Sequence, residues 1–563
     1  MGHKKRSAYI VSILGFLLIF ALASGIWSAM NTYGADYNSG ETIYFENKRL
    51  SEMGYIINDT PYIPLTTVER YGDTSHIFID KTAKKICIDL SKQNIIMADD
   101  ATTNFLKTYG GAVYIPLKNI EDQLYVPLNT MEQFIKLSYS LSSNGIKLFA
   151  YSGSEKIAKV NRDHTEGIPS LSVLETPADP FVLSKGEKVF IKGETDNYFK
   201  IETQEGFLGF VMKSQITISD LDLSKVDFYA QKKDKFIRGS EKINLVWQYV
   251  NTVTPPAPTT KTRGIDILSP TWFDLIVDGN GAVENNGDLG FTHKAHKNGY
   301  AVWATITNNM GVKGSTAYTS TVFSNSRLLN KTVAQYIFYA CLYDVDGINI
   351  DYEQVLDSDR AGLTAFTALL RTYTERQGLN LSIDTLIPKP WTVEYDRRSL
   401  AKYVDFVAVM TYDEHYGGSP VAGSVASLPW VEEAIQATLK EVPAKQVLLG
   451  IPMYTRVWVV DDNGKVIRNP SATMTYIQNL IVEKGLTPIW LDKEKQYFVS
   501  YSNDPYTDKI WIEDCRSVAN RLHLVQSYNL AGSACWQYSQ AGDEIWDVFY
   551  GMLKQGKHLK DYE

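Results

Sequence analysis

The segment Asp346-Gly347-Ile348-Asn349-Ile350-Asp351-Tyr352-Glu353 carries the residues of this chain best suited to chemistry. A strand has a two-residue period, so Asn349, Asp351 and Glu353 share one face while Ile348 and Ile350 share the other. Burying three polar groups on one face, two of them carboxylic, is costly unless they do something there. Paired carboxyls in a water-poor setting are the raw material of general acid–base catalysis. A solvated antiparallel strand of alternating charge would show the same period, but not so apolar an opposite face. No comparable metal-ligating set exists. The four cysteines, Cys87, Cys341, Cys515 and Cys535, form no CxxC or Cys/His cluster, so neither a metal nor another cofactor is expected and buried free thiols are the default.

The segment needs a scaffold that turns its polar face toward a cavity. From residue 243 onward apolar strands alternate with amphipathic helices. Strands are expected at 243–249, 265–273, 300–307, 347–353, 379–386, 406–412, 447–454 and 532–538, with helices at 331–343, 361–377 and 428–441 among them. Eight such repeats predict an α/β fold, a (β/α)8 barrel over 243–556, with a doubly wound sheet as the rival. The barrel is preferred because polar and aromatic residues gather at the C-terminal ends of the strands, where barrel active sites form. An insertion at about 459–530, between strands seven and eight, is placed to wall a cleft.

On these residues the chain resembles the family 18 glycoside hydrolases, whose motif reads D-x-x-D-x-D-x-E with asparagine tolerated at some positions. The resemblance covers about 243–553 and extends to Met410-Thr411-Tyr412-Asp413 on strand six and Trp536 on strand eight. Ser269-Pro270-Thr271-Trp272-Phe273 and Asp413-Glu414-His415 look like the spore cortex-lytic N-acetylglucosaminidases and their sporulation-specific relatives. The resemblance implies substrate-assisted hydrolysis, an exception to the usual two-carboxylate scheme. Glu353 is then the proton donor and later the base, and Asp351 steadies an acetamido group that attacks its own anomeric carbon. Tyr412 holds the acetamido oxygen in line, and Asp413 contacts the sugar or supports Tyr412. Trp536 stacks under the ring, and Asn349 is counted with the substrate-binding residues. For Trp272 and Tyr454, pocket lining and plain packing both stay open. Asn349 stands where many members carry a third aspartate. An amide cannot share a proton with Asp351, so a shifted pH optimum is expected, and Asn349→Asp should move it.

The rest of the chain bears on where such an enzyme would work. Lys4, Lys5 and Arg6 precede an apolar run at about 8–26, so residues 1–30 are either a secretory signal or a membrane anchor, and the remainder is expected outside the cytoplasm. Residues 41–153 hold an internal repeat: Tyr62-Ile63-Pro64-Leu65 returns as Tyr125-Val126-Pro127-Leu128, and Tyr114-Ile115-Pro116-Leu117 echoes its strand part. This resembles the copper amine oxidase N-terminal-like repeats of Gram-positive envelope proteins, but the segment offers no copper-ligand cluster. Proline in such runs points to a strand edge or end. Short strands and glycine turns over 155–216 resemble a bacterial SH3-like barrel, and 217–242 reads as a linker.

A net charge of −8 supplies no basic field for nucleic acid. Aromatics at 12% suit sugar stacking, and a large core would account for them equally. The partner expected is thus peptidoglycan or another N-acetylglucosamine polymer, with a chitinase or a silent glycan-binding protein on the same scaffold as alternatives.

Overall fold

The structure, a computed structural model, describes residues 40–562 except 47, 151–155, 172–179, 204–205, 219–224, 237–238, 240 and 252. The N-terminal signal or anchor expected at 1–30 lies outside the described residues.

Eight parallel strands close into a ring: β1 (Ile243–Gln248), β2 (Ile267–Leu275), β3 (Ala301–Thr307), β4 (Gly347–Asp351), β5 (Asn380–Leu386), β6 (Phe406–Met410), β7 (Val447–Pro452) and β8 (Gly532–Trp536). Each pairs in parallel with the next, and β8 returns to β1. This is the (β/α)8 barrel that the alternation of strands and helices predicts.

Period two divides its side chains into two cores. Leu245, Trp247, Ile267, Trp303, Ala408, Leu448 and Ala534 fill the interior. Leu268, Val302, Ile348, Ile350, Ile383 and Val407 face the surrounding helices. Gly347 belongs to the crowded inner layer, where a Cβ would stand 2.7 Å from the Trp303 ring. Below it, Phe236 sets its ring edge-on to Trp303 at 6.2 Å and closes the N-terminal end of the barrel.

The helices follow their capping residues. Ser326–Leu342 starts five residues before the expected position because Asn325 accepts from the backbone N–H groups of Arg327 and Leu328. The insertion also differs from its expected limits. It opens at Tyr454–Arg456 and carries a five-stranded antiparallel sheet, from Trp458–Val460 to Tyr506–Ile512, and the helix Met474–Glu483. It ends before Cys515–Ser527. That helix, capped by a reciprocal Asp514/Ser517 box, buries Val518, Leu522 and Val525 in the barrel's outer core.

Ahead of the barrel, the two copies of the sequence repeat pair with each other. Thr60–Pro64 runs antiparallel to Gln123–Pro127, with Ile63 opposite Val126, within a seven-stranded sheet. Each proline is the last residue of its strand, and a helix follows at once, Leu65–Tyr71 and Leu128–Ile135. Each strand is entered through two residues of positive φ, Asn58-Asp59 and Glu121-Asp122, the tight hairpin turn that matches strand twist. Lys156–Val160, Lys188–Glu194, Tyr198–Thr203, Leu208–Met212 and Ile216–Ile218 form a five-stranded antiparallel sheet with its own small core of Val160, Val189, Ile201 and Val211.

These parts do not hang free. Phe105 stacks on Tyr373 of the barrel helix Arg360–Gln377 at 3.9 Å, and Phe134 and Phe228 meet Phe338. One continuous apolar core runs from the repeat unit into the barrel's helical layer. The charged stretch read as a linker is pinned as well. Lys233 pairs with Asp344 and Asp346 at 2.9 and 3.1 Å, and Lys235 pairs with Asp405 at 2.8 Å.

Candidate active site

β4 delivers its polar face as the period-two pattern requires. Asn349 and Asp351 point into the barrel, opposite Thr305 and Thr307 on β3. Ile348 and Ile350 are fully buried outside. Beyond the strand, Tyr352 turns outward to stack on Phe366 at 4.8 Å and to share a 3.0 Å hydrogen bond with the Tyr336 hydroxyl. That anchor leaves Glu353 half-buried at the mouth.

Two residues that sequence reasoning missed hold this turn. Asn308, directly after β3, accepts from the Glu353 N–H at 3.1 Å and donates to the Glu353 carbonyl at 2.7 Å. The buried Tyr395 donates to the Tyr352 carbonyl at 2.9 Å. Neither has a local sequence signature, since an isolated Asn or Tyr after a strand is common.

Charge is concentrated here, and no cation is among the groups that shift Glu353, Asp351 or Asp384. Burial, with the Asp413 carboxylate as second cause, holds the Glu353 carboxyl above the usual carboxylate range. Asp351 is pushed well above that range, first by burial and then by Glu353, Asp384 and Asp274. Its Oδ1 is buried and has no hydrogen-bond partner among the described residues. An orphaned buried carboxyl oxygen of this kind costs about 1–3 kcal/mol. Tyr412 is also pushed well up, by burial and by Asp384, Asp351, Tyr454 and Glu353 in that order. It therefore belongs to the same cluster.

The rim is built by β6, β7 and β8. Asp413 takes a left-handed φ of 60° just past β6, and its Oδ1 accepts from the Tyr454 hydroxyl at 2.7 Å and from Arg456 at 3.1 Å. Tyr454 thus works at the rim through Asp413. Trp536 ends β8, partly exposed, tilted against Trp247 at 6.0 Å.

Two expected members are not at the mouth. Trp272 is fully buried among Phe291, Phe273 and Tyr343 in the helix-facing layer, its indole N–H donating to Thr254 at 2.9 Å. Its position on the outer face of β2 makes it core packing, not pocket lining. Asn349 is likewise fully buried and out of a substrate's reach. Its oxygen accepts from Trp247 at 2.9 Å and Thr305 at 3.2 Å, and its amide donates to Ser382 at 2.9 Å and Asp384 at 2.8 Å.

The structure also adds two carboxyls. Asp384 on β5 follows the same alternation as β4, with Leu381 and Ile383 outward, and was legible on that rule. Asp274 on β2 accepts from Thr307 at 2.5 Å, and burial raises its carboxyl too. Two hollows of 520 and 470 Å³ lie on the flank around Arg360 and Asp396, not over Glu353.

A half-buried carboxyl whose pKa is raised by burial, beside a second, unsatisfied one, can transfer a proton to an oxygen entering from solvent and stabilise positive charge next to it. Comparison with known proteins agrees with that chemistry. Residues 276–541 match the family model of Glycosyl hydrolases family 18. An uncharacterized glycosylase, YvbX, of Bacillus subtilis is 30% identical over 49% of this chain and 83% of its own length. The putative sporulation-specific glycosylase YdhD of the same organism is 26% identical, over 47% of this chain and 64% of its own length. A cortical fragment-lytic enzyme of Bacillus subtilis is 27% identical, over 39% of this chain and 52% of its own length. The chain thus spans less than two thirds of the last two.

Proposed function

Because the chain belongs to family 18 of the glycosyl hydrolases, and is a glycoside hydrolase, we propose that it hydrolyses β-1,4-linked N-acetylglucosamine bonds in bacterial wall peptidoglycan, spore cortex above all. The bond is cleaved with retention, and the substrate's own acetamido group is the nucleophile. Glu353 protonates the leaving oxygen and then deprotonates water. Asp351 accepts the acetamido N–H and steadies the charge that develops on the ring. Tyr412 aligns the acetamido oxygen, Asp413 and Tyr454 hold the sugar's rim, and Trp536 stacks beneath it.

One observation carries this reading: the orphaned Oδ1 of Asp351 beside Glu353. A donor from the substrate would satisfy it, and the acetamido N–H is such a donor. The choice of cortex rests on the names of two relatives, a sporulation-specific glycosylase and a cortical fragment-lytic enzyme. An extracytoplasmic site of action, reached through a signal or membrane anchor at 1–30, fits an insoluble wall substrate. Fractionation should therefore find the protein with the membrane, the wall or the medium, and a cytoplasmic pool would contradict this site of action.

The deciding experiment digests purified cortex, vegetative wall and chitin in parallel and identifies products by mass spectrometry. New reducing ends should be N-acetylglucosamine, released fastest from cortex, and should vanish in Glu353→Gln. Faster chitin cleavage would favour a chitinase, and reducing ends of any other sugar would overturn the bond assignment. Glycan binding without cleavage by the wild type would make the protein a lectin.

A further inference from the structure

The 470 Å³ hollow on the flank has no part in the proposed roles, yet it lies at the catalytic end of the barrel. Its lining comes from the segment after β5, with Pro388, Lys389, Pro390, Val393 and Tyr395, and from Arg360, which opens the helix after the β4 segment. Tyr395 ties it to the chemistry, because its hydroxyl donates to the Tyr352 carbonyl beside Glu353 at 2.9 Å. A volume of this size falls within the ~300–1,000 Å³ of small-ligand sites.

The segment after β5 is held stiffly. Arg397 is buried, and its guanidinium donates to the Leu386 carbonyl at 2.7 Å, the Tyr395 carbonyl at 3.2 Å and the Thr392 hydroxyl at 3.0 Å. That hydroxyl donates in turn to the Ile387 carbonyl at 2.8 Å. Pro388 and Pro390 remove further backbone freedom. A wall so braced need not be ordered when a ligand arrives.

Charge gives the hollow its selectivity. Arg360, Lys389, Arg397 and Arg398 line it with two carboxylates, Asp396 and Glu441, in a chain whose net charge is −8. Arg397 is committed to the loop and to Glu441 at 3.6 Å. Arg360 and Lys389 reach Asp396 and Glu433 at 3.0 and 3.1 Å, surface pairs of a kind that contributes little. Arg398 is exposed and donates to the Lys440 carbonyl at 2.7 Å, with no carboxylate partner among the described residues. A carboxylate entering the hollow meets Arg360, Lys389 and Arg398, beside apolar contacts from Pro388, Pro390 and Val393.

We propose that this hollow binds the acidic peptide that peptidoglycan carries on its sugars, while the sugar chain itself lies over Glu353. The site rests on the reading of the protein as a wall-glycan hydrolase, and it names what separates that glycan from chitin, which is neutral and bears no peptide. The lactyl carboxylate of the sugar is the rival source of negative charge. It sits on the ring, whereas the hollow lies to the flank of the mouth and suits a group that extends away from the ring.

The test is kcat/KM of the full chain on three soluble substrates: peptidoglycan strands with their peptides, the same strands after an amidase has removed the peptides, and a neutral β-1,4-linked N-acetylglucosamine oligomer. The wild type should prefer the first over the second by about tenfold, and added salt should shrink the preference. Arg398→Glu should lower kcat/KM on the peptide-bearing strands about tenfold, chiefly through KM, and leave the other two substrates within about twofold. Arg398→Gln should act in the same direction by less. A wild type with no preference for peptide, or variants that match it on the peptide-bearing strands, overturns the site. An equal loss on strands with and without peptide, but not on the neutral oligomer, assigns the cations to the lactyl carboxylate and overturns the peptide. An equal loss on all three makes Arg398 a part of the fold and overturns it too. In each of these cases the hydrolase reading stands. A wild type that cleaves none of the three substrates sinks that reading and this site with it.

Discussion

Asn308 clamps Glu353 from both sides of its backbone, taking its N–H at 3.1 Å and giving its own amide hydrogen to the carbonyl at 2.7 Å. Asn308 is itself fully buried and tied to Thr319 at 3.1 Å, so the clamp is rigid. Removing it in Asn308→Ala frees a carboxyl that must meet a glycosidic oxygen within a few tenths of an ångström. The expected result is a fall in kcat of about ten- to a hundredfold with KM little changed. Steady-state kinetics that show the loss in KM instead would make Asn308 a binding residue.

The raised Glu353 carboxyl gives the pH dependence a sign. An acid whose pKa is raised keeps its proton toward neutral pH, and activity falls as pH climbs through that value. Asp413 is the second cause of the rise, after burial. Asp413→Asn removes that like charge, so the alkaline limb should move to lower pH by about half a unit. The shift is modest because Arg456 already lies 3.1 Å from Asp413. Titration of kcat/KM from acid to alkali measures it, and an upward move would contradict the electrostatics.

How much of this was legible follows from strand parity. On β4 and β5 the alternation is unbroken, so Asn349, Asp351 and Asp384 could all be placed inward from sequence. β2 breaks it. The pairing with β3 slips between Thr271 and Phe273, so Trp272 and Phe273 both face the helices. Asp274 then turns inward to Thr307, a position that strict alternation assigns to the outside. A one-residue bulge has no sequence mark here, and it reverses every residue beyond it. Asn308 and Tyr395 were illegible for another reason: their contacts span 45 and 43 residues and depend on how the loops close.

Behind the rim, Arg521 and Glu513 form an ion pair at 2.6 Å with only 1% of each side chain exposed. Gln496 of the insertion donates to Glu513 at 2.7 Å, and Arg521 reaches the Ala426 carbonyl at 2.5 Å, so the pair bolts the insertion to the barrel. Arg521→Leu strands a carboxylate in the core and should cost about 3–5 kcal/mol. Chemical denaturation should show most of that returned by a second change, Glu513→Leu. A single variant as stable as wild type would mean the pair contributes nothing net.

The docking of the repeat unit leads to the broadest prediction. Phe105 covers Tyr373, Phe134 covers Phe338, and the Tyr339 hydroxyl accepts the Tyr114 N–H at 2.8 Å, all across the boundary between that unit and the barrel helices. Beneath, the segment carrying Lys233, Lys235 and Phe236 closes the barrel floor. A chain that begins at Lys242 loses all of this at once. Each uncovered aromatic forfeits about 1.5–3 kcal/mol of burial, so several together should lower the melting temperature by about 10 °C or leave the protein insoluble. Calorimetry of the shortened chain beside the full one measures the difference. Equal melting temperatures and equal kcat would show that the barrel stands alone, and that the shared core around Phe338 contributes little to its stability.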